Sequence, residues 1–392
     1  MRVLKIGFDG VKLFKDSHFE IDFLAKDRVV NHEDVYAIDA PIYTQKIISL
    51  AGINASGKTI VLKLILMAMN LLSSKKNLFD EISNLDIFCE RVVITIVFYL
   101  DGYYYKLVSE IEIVQQDKDS FDNWGTDIGY RFAEEYIWSK KASATTKKNI
   151  FDFESSNHLI RSELPKAVKD FLSDSTSVIH SVARDNSPVV AQMIGGITQH
   201  DVLNFFGTTP PEIVQVFDSS VEYLRADSDS DGDTLYLKFK NESDDTPIKS
   251  TQLHQVLSSG TIKGDNLCTR MIHVLRGGGY LLLDEIENHF NKKLVEVIVE
   301  IFSSAKYNPN GATLIFTTHY PELLDLLRRK DNLYFLVRNE NFRIDIVNYS
   351  NRVKRIENKK SEVFISNYVK GTAPKYEEVR GFKDFIADCL GT

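Results

Sequence analysis

Cysteine is scarce in this 392-residue chain, which has only Cys89, Cys268 and Cys389. They lie far apart and no C-x-x-C occurs, so the sequence offers neither a disulfide framework nor a thiolate zinc site. That usage fits a reducing cytosol, and a cytoplasmic location is expected. Long apolar runs are lacking too. The longest, such as 92–100, are far too short to span a bilayer. Near the N-terminus apolar positions alternate with charge, unlike a signal peptide. No membrane partner is expected from the chain itself. The net charge of −8 excludes a chain that is basic throughout and leaves only local basic patches. No internal repeat is visible, and no sustained heptad run occurs in the middle. With 43% hydrophobic and 26% charged residues, what remains is ample core for one large or two ordinary domains.

One stretch organises the rest. A β-branched, apolar run from Lys46 ends in Gly52-Ile53-Asn54-Ala55-Ser56-Gly57-Lys58-Thr59. This is the full G-x-x-x-x-G-K-[ST] pattern of a phosphate-binding loop, set between an apparent strand and helix. Backbone N–H groups must turn inward around phosphate oxygens, and glycine permits that turn. The following helix N-terminus favours an anion. Lys58 can reach β- and γ-phosphates, and the Thr59 hydroxyl can ligate Mg²⁺. The bland alternative is a Gly/Ser loop that happens to precede a helix. The three fixed residue types and the correct flanks count against it. The helix from Thr59 to Leu72 is apolar almost all round and is expected to be buried.

In chain order, 3–8 and 19–23 read as short strands by their alternation. The runs 91–100 and 103–114 are β-rich and flank Asp101-Gly102, a strong hairpin signal. Residues 1–114 form an N-terminal lobe with an antiparallel β layer. Residues 115–215 turn polar, with patches of helical spacing, and read as a helical insertion. Lys140, Lys141, Lys147 and Lys148 make a local basic group there, either a partner contact or a solvated face. Gln192 and Gln199 are both candidates for a γ-phosphate-sensing glutamine. Asp227–Asp233 resembles a calcium loop, but the twelfth position that should be Glu is Lys238, so a hairpin turn is expected. Residues 216–224 and 234–239 read as its flanking strands.

Residues 216–392 read as a C-terminal lobe and carry three more motifs. Leu257-Ser258-Ser259-Gly260-Thr261 precedes a helix that Gly277-Gly278-Gly279 should end. Tyr280-Leu281-Leu282-Leu283-Asp284-Glu285 is an apolar strand delivering two acids at its C-terminal end, where open α/β sheets bind ligands. Ala312–His319 is another buried strand with a polar tip. Strands alternating with helices argue for a parallel core sheet. Asp284 is placed to hold Mg²⁺, Glu285 to polarise an attacking water, and His319 to touch the γ-phosphate or that water. A lone strand-end histidine is more often structural. Its value here comes from Thr317-Thr318 and the earlier motifs.

In this order GINASGKT, LSSGT, LLLDEIEN and TTHYPELLD resemble the ABC-type ATPases of the SMC, RecF and OLD-like group. More narrowly they are similar to bacterial AAA family ATPases found in phage-defence operons. The resemblance covers 1–66 and 249–340 and fades through 115–248. It implies an α/β phosphate-loop NTPase with an ABC-type head: one composite ATPase domain with an antiparallel β layer, a helical insertion and a parallel core sheet. It implies ATP and Mg²⁺ as cofactors, with ATP on Gly52, Asn54, Ala55, Ser56, Gly57, Lys58 and Thr59, and the metal on Thr59 and Asp284. The catalytic set would be Glu285, Lys58 and His319. Ser258 and Gly260 would contact ATP held by a second copy, giving an ATP-dependent dimer or higher homo-oligomer. LSSGT departs from the transporter form, which has two glycines, and the Glu285-Ile286-Glu287-Asn288-His289 continuation resembles the SMC and OLD side.

Relatives often carry a nuclease or a coiled coil, and neither is evident. A separate effector, a nuclease or toxin, is therefore the expected partner. The tail Arg352, Lys354, Arg355, Lys359 and Lys360 makes nucleic acid a further candidate. The alternatives are the nucleotide-binding subunit of a transporter and a nucleotide-dependent scaffold that does not hydrolyse. Guanine specificity is not expected, because no N-K-x-D motif occurs.

Overall fold

The structure, a computed structural model, describes all residues except 74–77, 79–81, 83–84, 115–128, 155, 170–171, 183–188, 196–207, 227–233, 289, 355–357, 375 and 391–392. Two six-stranded sheets share one helix. The first is antiparallel and runs, in spatial order, β2 (His18–Asp22), β1 (Arg2–Val11), β6 (Phe88–Leu100), β7 (Tyr103–Val114), β8 (Gly129–Lys141) and β9 (Asn157–Ile160). Asp101 and Gly102 close the β6–β7 hairpin with φ of 47° and 84°, the left-handed pair that a tight I′ turn requires.

The second sheet holds the phosphate-loop strand. Its order is β10 (Ala191–Ile194), β15 (Tyr280–Leu283), β16 (Thr313–Thr318), β5 (Ile47–Ala51), β17 (Leu333–Arg338) and β18 (Ile344–Asn348). The first five are parallel, and β18 returns antiparallel from β17. A small hairpin, β3 (Val35–Asp39) with β4 (Ile42–Gln45), stands apart from both sheets.

Period-2 alternation gives each core strand two apolar faces. Ile48, Leu50, Leu282, Ile315 and Leu336 face α1 (Lys58–Leu71), which meets Ile6, Phe8, Ile94, Ile96 and Leu107 of the antiparallel layer in the same cluster. This position between two sheets explains why α1 is apolar around its circumference: Val61, Leu62, Leu64, Ile65, Met67 and Ala68 have no exposed surface. The alternate residues Ile47, Leu281, Leu283, Leu314, Phe316 and Phe335 face the other way. They pack with α5 (Ser259–Gly277), α6 (Lys292–Ser303), α7 (Pro321–Leu324) and α9 (Lys360–Ile365). Gly278, at φ 63°, caps α5 as expected. The expected α/β class with an antiparallel layer and a parallel core sheet is what the chain adopts.

Residues 115–215 depart from the helical reading. Their described part supplies β8 and β9, which complete the antiparallel sheet, and the helices α2 (Lys166–Lys169) and α3 (Ile179–Val182) are single turns. The reason is the register of β8: Phe132 and Ile137 are buried against the core while the ladder to β7 runs its whole length. Polar residues between them hid the strand. The basic group there is partly committed to the fold. Lys140 Nζ donates to the Asn149 and Asp152 carbonyls, and Lys147 Nζ to the Lys26 carbonyl.

The strand expected over 216–224 is also corrected. A helix, α4 (Pro211–Phe217), runs into it, and the strand begins only at Val221. Pro211 at the first helical turn sets that start. Beside α4 stands a four-stranded sheet, β11 (Thr208–Thr209), β12 (Val221–Ala226), β13 (Thr234–Phe239) and β14 (Thr246–Lys249), with its own core of Val214, Val221, Leu224, Leu235, Leu237 and Ile248. The Asp227–Asp233 turn lies outside the described residues. Two further helices, α8 (Tyr349–Arg352) and α10 (Tyr376–Leu390), close the chain, and α10 has no buried residue.

Candidate nucleotide site

Three neighbouring strands, β15, β16 and β5, end side by side. Their C-terminal tips carry Asp284-Glu285, Thr317-Thr318-His319 and the phosphate loop. A parallel sheet therefore gathers residues 52, 284 and 319 at one edge without any of them being close in sequence.

The loop is tightly built. Gly57 sits at φ 94°, and a Cβ there would lie 2.3 Å from Ile344 Cδ1. A Cβ on Gly52 would lie 2.4 Å from Ser56 Oγ and 2.7 Å from the Leu336 carbonyl. Ala55 is held at φ 59°, and Arg338 Nε donates to its carbonyl at 2.9 Å. Asn54 and Ala55 are exposed on the outer turn, whereas Ser56 is buried and its Oγ has no partner among the described residues. Lys58 is buried, and Nζ donates to the carbonyls of Gly52 at 2.9 Å and Ile53 at 3.0 Å. Burial lowers its pKa, against the opposing pull of Glu285, Glu287 and Asp284.

The acids are fixed by the neighbouring strand. Thr59 Oγ1 donates to Asp284 Oδ2 at 2.6 Å, and Thr317 Oγ1 donates to Asp284 Oδ1 at 2.6 Å. Thr317 Oγ1 in turn accepts from the Glu285 amide at 2.7 Å. Glu285 takes φ 48°, an uncommon conformation for a non-glycine residue, and Asn288 Nδ2 donates to its carboxylate. The His319 amide donates to Glu287 Oε1 at 2.7 Å.

ATP and Mg²⁺ fit this set on the chemistry of its donors. The loop holds a buried cation turned onto its own carbonyls and a buried hydroxyl without a partner, both suited to phosphate oxygens. The Thr59 hydroxyl and Asp284 carboxylate are the oxygen ligands that a hard cation takes.

Not every expected residue joins the group. Ser258 is the N-cap of α5; its Oγ accepts from the Thr261 amide at 3.1 Å and it faces solvent. Among the described residues neither Ser258 nor Gly260 hydrogen-bonds to the phosphate loop. Gln192 lies inside β10, paired with Leu281, while Gln199 lies outside the described residues. In the tail, Lys360 Nζ donates to the Leu327 carbonyl at 2.7 Å and Lys359 pairs with Glu362, so part of that basic run serves packing. Arg355 lies outside the described residues.

Three residues escaped the sequence reading. Thr317 was visible only as a polar strand tip, and Glu287 only as a further acid in the DEIEN run. Arg338 gave no signal, since it reaches Ala55 from 283 positions away.

Residues 47–325 match the family described as "AAA domain, putative AbiEii toxin, Type IV TA system". The chain belongs to this AAA family. The matched span includes the phosphate loop, Ser258–Gly260, the two acids and His319. Among solved structures, the chain is similar to the SMC head domain from Thermotoga maritima. The identity is 15%, the match covers 89% of this chain and 99% of that one, and the TM-score is 0.41. Comparison with curated proteins gives no match. Among the described residues of this AAA protein no helix is long and apolar enough to cross a membrane.

Proposed function

We propose that this AAA protein is an ABC-type ATPase that binds and hydrolyses ATP with Mg²⁺. Nucleotide-driven pairing of two copies would control a separate effector, a nuclease or toxin, in phage defence or DNA maintenance. The observation that carries the reading is the hydrogen-bonded chain from Thr59 through Asp284 and Thr317 to Glu285. It ties the loop, the metal-type acid and the base-type acid into one rigid unit. The family's description names a putative toxin, which is in keeping with a toxin as one of the two effector classes.

Thr59 and Asp284 would hold the ion, which would supply charge neutralisation at the phosphates. The loop amides and Ser56 would hold the phosphate chain, and Lys58 would exchange its carbonyl partners for phosphate oxygens. The Glu285 carboxylate would accept the proton of an in-line water. His319, at the neighbouring strand tip, would contact that water or the γ-phosphoryl. Thr317 would keep both acids in register.

Steady-state ATP turnover tests this. Lys58→Ala should lose nucleotide affinity. Asp284→Ala should lose metal-dependent turnover. Glu285→Gln should bind ATP but turn over roughly 10²–10⁴-fold more slowly, the usual worth of a positioned general base. Wild-type rates in all three variants would end the assignment.

A further inference from the structure

Glu287 belongs neither to the phosphate loop nor to the metal pair. The one-turn segment Ile286–Asn288 brings its carboxylate back to the end of β16. There the side chain is only 3% exposed. Oε1 accepts from the His319 amide at 2.7 Å and stands 2.9 Å from His319 Nδ1, close enough to pair but not in line for a hydrogen bond. Among the described residues Oε2 is buried without a partner. A buried carboxylate with a free oxygen is unfavourable unless its charge serves a neighbour. Lys58 feels that charge through space, but the contacts of Glu287 run to His319. The ring is held edge-on by Tyr320, with centroids 4.7 Å apart, and is 27% exposed. Among the described residues Nε2 has no protein partner.

We propose that Glu287 is the positioning residue of His319. One carboxylate oxygen fixes the main-chain amide at the strand tip and, after a small ring rotation, accepts from Nδ1–H. That pairing selects the tautomer with its proton on Nδ1, because which ring nitrogen is protonated follows the partner of the other. Nε2 is left with its lone pair, able to accept a hydrogen bond from the attacking water. On this view the histidine orients water while Glu285 takes the proton. The inference rests on the ATPase reading for its role in turnover, but not for the tautomer itself.

Two measurements test it. Nitrogen-15 NMR of histidine-labelled protein, with the His319 signal identified by its loss in His319→Ala, should show an Nδ1–H ring in the wild type. Glu287→Ala should move it to the Nε2–H form. A wild-type ring already protonated on Nε2 overturns the proposal without any Glu287 variant. In turnover, Glu287→Ala should lower kcat roughly 10–100-fold with KM for ATP nearly unchanged. Glu287→Gln, which keeps an acceptor oxygen, should recover most of that loss. Glu287→Ala combined with His319→Ala should be no slower than His319→Ala alone, because one residue acts through the other. Losses that multiply would show an independent role and refute the pairing. Wild-type protein without turnover would sink the ATPase reading, and the tautomer measurement would still decide this one.

Discussion

Gly57 is placed where a side chain has no room: its φ of 94° disfavours any L-residue, and Ile344 Cδ1 fills the space a Cβ would take. Gly57→Ala should therefore cost about 1–3 kcal/mol through backbone strain and overpacking. Adding Ile344→Val removes the clashing methyl but not the strain, so the double variant should recover part of the loss. Chemical denaturation midpoints check both, and a Gly57→Ala midpoint equal to wild type would show a loop free to rearrange. The cysteines make a second residue-scale test. Burial first, then the nearby Asp265 charge, pushes the Cys268 thiol up to about 12, whereas Cys389 is exposed on α10. Since the thiolate is the reactive form, a maleimide at pH 8 should label Cys389 in native protein long before Cys268. Equal labelling would mean that α5 opens. At this scale the loop, Asp284, Glu285 and His319 were legible because each lies in a short, local pattern. Thr317, Glu287 and Arg338 were not, because their meaning depends on which strands end beside each other.

At the scale of elements, α1 and β8 show opposite cases. The even apolar wrap of α1 announces burial on all sides, and two sheets cover it. Around its core residues Phe132 and Ile137, β8 carries Glu134, Glu135 and the Tyr136–Trp138 stack, so its alternation is masked. Glu135 is fully buried, satisfied by Ser109, Ser177, the Val178 amide and Arg161, a network that no sequence window contains. The helix α5 carries the element-scale prediction. At its N-terminus Ser258 is exposed and caps the Thr261 amide of its own helix rather than hydrogen-bonding to the phosphate loop. If that end binds ATP held by a second copy, Ser258→Arg should block ATP-dependent pairing while leaving the affinity of a single chain for ATP within about twofold, since only the bridged state is lost. Equal loss of both would place Ser258 in its own chain's site.

At the scale of the whole molecule, a nucleotide shared between two copies should stabilise the pair by its differential affinity for that state. Glu285→Gln, proposed above to slow hydrolysis, should trap it. Light scattering of Glu285→Gln should then give a larger mass or radius with ATP than without, and identical values would reject pairing. The central sheet also has a consequence for how the chain is made. The phosphate-loop strand β5 lies between β16 and β17, whose residues come from the last fifth of the sequence. During synthesis it must wait for roughly 290 further residues, on the order of 15–60 s at ordinary elongation rates, before both neighbours exist. Until then a nascent chain exposes an apolar strand and one face of α1, while the antiparallel layer, complete by Ile160, can already cover the other. The ATP site can therefore be assembled only once β16 and β17 have been made. Chains ending before Leu333 should accumulate as protease-sensitive or aggregated material, which pulse-labelling with limited proteolysis would reveal; protease-resistant chains of that length would mean that β5 finds its place without β17.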